Sequence, residues 1–195
     1  LGQAEDFVTI VGFIAPTGIA VEASGALVVA DARLAAVIRV DPNTGARTLV
    51  SGRGVGNGPA FTIPFTPVGA AVGADGQLFI AANSAVVQVD PKSGDRHLVS
   101  GVVTSALSCG PGESRGSGVE LAAATFIAIE ADQSLVVIDS QAEAVIQIDP
   151  VTGDRTTISG CTPADAVPFR CLGQLVGGGT PFLLPTGIAV RFNGA

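Results

Sequence analysis

The stretch IRVDPNTGARTLVSG (38–52) returns as VQVDPKSGDRHLVSG (87–101) and again as IQIDPVTGDRTTISG (146–160). Each copy has the same parts. An aspartate (Asp41, Asp90, Asp149) opens a turn and can accept backbone N–H bonds within it. Proline follows and pre-sets φ at the first corner. A glycine (Gly45, Gly94, Gly153) supplies the positive φ with which the chain re-enters a strand. Apolar residues alternate with polar ones on both sides. The reading is a β-hairpin, three times over.

Working outward, a second pattern precedes each hairpin. Thr17-Gly18-Ile19-Ala20-Val21 leads to GALVVAD, Val68-Gly69-Ala70-Ala71-Val72 to GQLFIAAN, and Thr125-Phe126-Ile127-Ala128-Ile129 to QSLVVID. Each unit therefore predicts four strands joined by three turns. The expected strands are 17–22, 26–31, 36–41 and 46–51; then 68–73, 77–82, 85–90 and 95–100; then 125–130, 134–139, 144–149 and 154–159. The period of two excludes helices. Four-stranded units spaced by 49 residues (41 to 90) and 59 residues (90 to 149) predict the blades of a propeller.

The stretch PTGIAVEASGALVVADARLAAVIRVDPNTGARTLVSG resembles the NHL-type and lactonase-like β-propeller superfamily. The resemblance covers almost all of the chain outside the inter-blade loops. It implies an all-β fold in which the small, GIAV-like first strands line a central channel. It says little of activity, because propellers host many unrelated ones. The calcium-dependent lactonases it brings in imply Asn or Asp just before the inner strands. Here those positions hold Thr17, Val68, Thr125 and Thr186, a poor ligand set for a hard cation. Lyases of this type use a channel histidine, and the one histidine, His97, is expected on an outer strand.

We expect one partial or half-ring domain over 1–195, with blades at about 17–52, 68–101 and 125–160. Residues 7–12 read as a lone outer strand and 185–195 as the start of a fourth blade. Three blades do not close a ring of the usual four to eight. Three explanations stand open: a piece of a longer propeller, a ring completed by several copies, or a fibre built through open strand edges.

Composition narrows the partners. The 195 residues carry a net charge of −7 and no Lys/Arg cluster, which argues against nucleic acid and anionic membranes. No apolar run reaches the length of a membrane span. The chain starts at Leu1 without a leader pattern, which predicts a removed leader or a piece of a longer chain. Cys161 and Cys171, with nine residues between them, predict a disulfide; Cys109 is then odd. Oxidised cysteines go with a secreted, periplasmic or cell-surface protein.

Three loops, 53–66, 102–123 and 161–184, differ from one another and are expected on one face. Two readings stand for them: packed covers, or a binding face in which Phe61, Phe65, Phe169 and Phe182 offer apolar surface to a partner. Asp31, Asn83 and Asp139 end the second strands. They read either as metal ligands, with Ca2+ the suitable cation, or as caps on the following turns, the simpler reading. Ser114 sits in Gly112-Glu113-Ser114-Arg115-Gly116, but without the strand and helix that a nucleophile elbow needs. Arg47, Arg96 and Arg155 are expected as solvated strand edges. The function read from these residues is a non-enzymatic exported scaffold or interaction module, with no cofactor. The alternatives are a fragment of a lactonase- or lyase-type enzyme, or a subunit of an extracellular fibre.

Overall fold

The structure, a computed structural model, describes residues 12–61, 65–103, 113–161, 166–167, 170–171, 175–177 and 185–189. Among these there is no helix. Three antiparallel meanders follow one another. The first is β1 (Pro16–Val21), β2 (Leu27–Asp31), β3 (Ala36–Val40) and β4 (Arg47–Gly52). The second is β5 (Gly69–Val72), β6 (Leu78–Ala82), β7 (Ala85–Val89) and β8 (Arg96–Val103), with β9 (Glu113–Arg115) added outside β8. The third is β10 (Ala124–Ile129), β11 (Leu135–Asp139), β12 (Ala144–Ile148) and β13 (Arg155–Cys161). A two-stranded piece, β14 (Ala166–Val167) with β15 (Arg170–Cys171), follows. Then β16 (Leu175–Val176) pairs outside β13.

The three units share their register. Val40, Val89 and Ile148 pair with Arg47, Arg96 and Arg155, and a bulge falls at the same place in each outer pair. Each outer pair ends on a glycine: Gly52, Gly101 and Gly160, at φ +94°, +94° and +102°. A Cβ there would stand 2.2–2.3 Å from the carbonyl oxygen of Ala35, Ser84 or Glu143, so only glycine fits.

The core lies between the sheets. Val28, Ala30, Val37 and Val50 of the first sheet pack on Leu78, Ile80, Val87 and Leu98 of the second. Ala81, Val86 and Val99 on the reverse of the second pack on Leu135, Val137, Ile146 and Ile148 of the third. Gly18 and Gly69 bring the inner strands together, for a Cβ on either would lie 2.6–2.7 Å from the carbonyl oxygen of Val68 or Thr125. Face-to-face sheets with the inner strands nearest each other are propeller geometry.

Two expectations need correction. The loops 102–123 and 161–184 contribute outer strands β9 and β16. Of the fourth blade expected to start at 185–195, residues 190–195 lie outside the described residues. Phe61 and Phe65 do not face a partner: they are 7% and 1% exposed, their ring centres 5.7 Å apart within the first core. Burial between blades wins over display because two Phe rings carry much of the apolar area there. Phe169, Phe182, Cys109, the strand expected at 7–11 and the side chains of Cys161 and Cys171 lie outside the described residues.

Candidate functional site

The turn-closing residues come first. Both carboxylate oxygens of Asp31 are engaged by backbone N–H groups: those of Ile14 (2.8 Å), Ala15 (3.0 Å), Arg33 (3.2 Å) and Leu34 (2.9 Å). Asp139 repeats this with Ala122 (2.6 Å), Ala123 (3.0 Å), Gln141 (3.1 Å) and Ala142 (2.9 Å). Both side chains are fully buried. Each therefore ties the entry of its blade to its second turn, and its oxygens point at N–H donors. Asn83 takes a different turn, at φ +53°, and its amide nitrogen donates to Thr66 Oγ1 at 3.4 Å. Thr17 and Thr125 donate their hydroxyls to the carbonyls of Ala30 and Ile138, both at 3.3 Å. Among the described residues no group of three His, Cys, Asp or Glu is placed to hold a metal ion. His97 is exposed on β8, and Ser114 is exposed on β9 opposite Val102.

The arginines are the surprise. Arg96 and Arg155 are buried, not solvated. Arg96 Nη1 donates to Ser51 Oγ (2.7 Å) and to the carbonyl of Val55 (2.9 Å). Its Nη2 donates to the carbonyl of Gly56 (3.2 Å) and its Nε to that of Pro59. Arg155 does the same one blade on. Its Nη1 reaches Ser100 Oγ (2.8 Å) and the carbonyl of Arg115 (2.9 Å), Nη2 the carbonyl of Gly116 (3.5 Å) and Nε that of Val119. A guanidinium has five N–H donors in a fixed plane, so one side chain satisfies several carbonyls of an irregular loop. Burial lowers the pKa of both guanidinium groups from their ordinary value.

The loop is thereby latched to the next blade. Ser51 and Ser100 pass the chain on, donating to the carbonyls of Gly94 (2.6 Å) and Gly153 (2.5 Å). Asp95 and Asp154, beside the arginines, accept the backbone N–H of Asn57 and Ser117, both at 2.7 Å. The Asn57 N–H is the main cause of the lowered pKa of Asp95; for Asp154 it is the Ser117 hydroxyl, then its N–H. Gly56 and Gly116, at φ +75° and +74°, lie so close to the next hairpin that a Cβ would sit 1.8 Å from the carbonyl oxygen of Gly94 or Gly153. Thus loops of unlike length and sequence converge on one Gly-x-Gly anchor, Gly56-Asn57-Gly58 and Gly116-Ser117-Gly118. The sequence signal lay in that short repeat and in the Ser-Gly that ends each hairpin.

Comparison with solved structures now fixes the fold. A structural-genomics protein of unknown function from Bacteroides thetaiotaomicron superposes with a TM-score of 0.59 at 16% identity, over 88% of this chain and 41% of its own. An auxiliary nutrient binding protein from Bacteroides ovatus gives 0.54 at 19%, over 89% and 42%. A chain of a nidogen–laminin complex gives 0.54 at 16%, over 75% and 48%. The chain has the β-propeller fold. It spans less than half the length of each of these proteins. No family model matches the chain. No curated relative does either. No described helix is long and apolar enough to cross a membrane.

Proposed function

We propose that the chain is a non-enzymatic, exported β-propeller scaffold that acts by binding protein, including copies of itself, through its open blade faces and its loop face. One observation carries this reading. Ile19 and Val21 on β1 are each 62% exposed. At the matching place in the next two blades, Ala70 and Ile127 are buried against a preceding sheet. The first blade thus presents an apolar face of a kind that its own repeats cover, and exposed apolar faces mark interaction sites.

The reading without turnover draws on two placements: the carboxylates of Asp31 and Asp139 are committed to backbone N–H groups, and His97 is exposed on β8. The proposal includes no cofactor. It includes a Cys161–Cys171 disulfide, which suits an exported chain. The net charge of −7 favours protein over nucleic acid as the partner. Assay of the purified protein against lactone and lyase substrates, with and without calcium, tests it. No turnover above the buffer rate is expected, and calcium-dependent turnover lost in Asp31→Ala or Asp139→Ala would overturn it.

A further inference from the structure

The two rim latches are built alike, but the middle residue of each anchor differs. Asn57 stands between Gly56 and Gly58, and Ser117 between Gly116 and Gly118. Each serves one carboxylate. The Asn57 backbone N–H and Nδ2 donate to the same oxygen of Asp95, at 2.7 and 3.0 Å. The Ser117 N–H and hydroxyl donate to the same oxygen of Asp154, both at 2.7 Å. The carbonyls of Asn57 and Ser117 accept the backbone N–H groups of Arg96 and Arg155, both at 2.8 Å. Serine thus makes every bond the anchor needs, and asparagine brings something more: an amide followed by glycine.

Such an amide is open to attack by the next backbone nitrogen, because glycine has no Cβ to hinder the approach. The local structure leaves that nitrogen available. Asn57 and Gly58 are both exposed. The Gly58 N–H has no acceptor among the described residues. Gly58, at φ +90°, lies so close to Arg96 that a Cβ would stand 1.9 Å from its carbonyl oxygen, so the fold itself demands the glycine. One contact holds the reaction back. The shared oxygen of Asp95 keeps the amide on the side of Asn57's own N–H, and attack needs it turned toward Gly58.

We propose that Asn57-Gly58 is a site of spontaneous covalent modification, held in check by Asp95, and that its conversion releases the latch between the first and second blades. The Gly58 nitrogen loses its proton to solvent and bonds to Asn57 Cγ, and the Cγ–Nδ2 bond breaks with loss of ammonia. Water then opens the five-membered imide at either carbonyl, leaving aspartate or isoaspartate; no oxidant or reductant takes part. Aspartate loses the Nδ2 donor and sets a second negative charge beside Asp95. Isoaspartate adds a methylene to the main chain between the carbonyls of Gly56 and Pro59, both held by the one planar guanidinium of Arg96. The second latch, with Ser117 at this place, has no amide to lose.

Folded wild type, Asp95→Ala and Asn57→Ser would be aged in mildly alkaline buffer and digested, and the Asn57 peptide followed by mass spectrometry for the change from amide to acid. Asn193-Gly194, the chain's other Asn-Gly pair, is the reference within each sample. Conversion at Asn57 is expected in the wild type and at least about tenfold faster in Asp95→Ala, the factor that a hydrogen bond to a charged group is worth, with Asn193 alike in the two. Aged wild type is expected to melt below the fresh protein, whereas Asn57→Ser melts alike before and after ageing. An Asn57 that stays intact in wild type and Asp95→Ala while Asn193 converts would overturn the site. Equal rates at Asn57 in those two proteins would overturn the check by Asp95. Unchanged melting of the converted wild type would overturn release of the latch.

Discussion

Arg96 Nη1 lies 2.7 Å from Ser51 Oγ, and that hydroxyl donates in turn to the carbonyl of Gly94, two residues before the arginine. The pair closes a circuit between one blade's outer strand and the next blade's hairpin. Arg155 and Ser100 close the same circuit one blade later. The propeller is therefore held by burial between sheets and by a polar latch at the rim.

Removing the latch leaves buried carbonyls without donors. Each such group costs about 1–3 kcal/mol. Arg96→Ala is expected to lower stability by at least about 3 kcal/mol by denaturant titration. Arg96→Lys recovers only part of this, since an ammonium cannot match the planar fork. A loss as small as that of an exposed ion pair, below about 1 kcal/mol, would contradict the latch.

The positive-φ glycines of the loops divide into two kinds. Gly54→Ala and Gly177→Ala carry the strain of positive φ, about 1–2 kcal/mol, because no described atom lies within the span of a clash. Gly56→Ala and Gly116→Ala add a collision at 1.8 Å with backbone that cannot swing aside. They are expected to cost several kcal/mol more or to prevent folding. Thermal melting of the four variants ranks them.

Most of the fold was legible because the repeat fixed register three times. The strands fall within a few residues of their expected places, and the turn aspartates do what their sequence suggests. Asp41 and Asp90 accept the N–H groups of Asn43 and Lys92, both at 2.8 Å. The rim was not legible. Arg96 follows a polar Asp-Pro-Lys-Ser-Gly-Asp turn, and a charge after such a turn looks solvated. Its burial depends on Ser51 of β4 and on Pro59 of the following loop, 45 and 37 residues earlier in the chain, a relation that local pattern does not carry. Phe61 and Phe65 misled for the same reason: in a Gly/Pro-rich loop they resemble display, yet the loop folds inward over the core.

The acid side of the stability curve follows from the lowered aspartates. Asp41, Asp90, Asp95 and Asp154 have folded pKa values below the ordinary 3.8. A carboxyl of this kind adds stability above its unfolded pKa and loses it as pH falls through the lower folded value. Melting temperature is expected to hold from neutral pH down to about pH 4 and to fall below it. Asp95→Asn and Asp154→Asn should lower melting at neutral pH, and the gap from wild type should close near pH 2. A gap that persists there would show that the loss is not the carboxylates' charge.

Thr157 sits where the first two blades carry Leu49 and Leu98, opposite Ile146. Its hydroxyl is buried without a hydrogen-bond partner among the described residues. Thr157→Val keeps the shape and removes the unmet group, so a gain of about 1 kcal/mol is expected in chemical denaturation. Destabilisation would mean that the hydroxyl has a role in the folded chain.

The most direct test of the account is the solution mass of the purified chain across concentrations. The exposed apolar residues Ile19, Val21 and Ile158 predict a discrete species of twice the 19.3 kDa chain mass as concentration rises. A mass of 19.3 kDa at every concentration would contradict it.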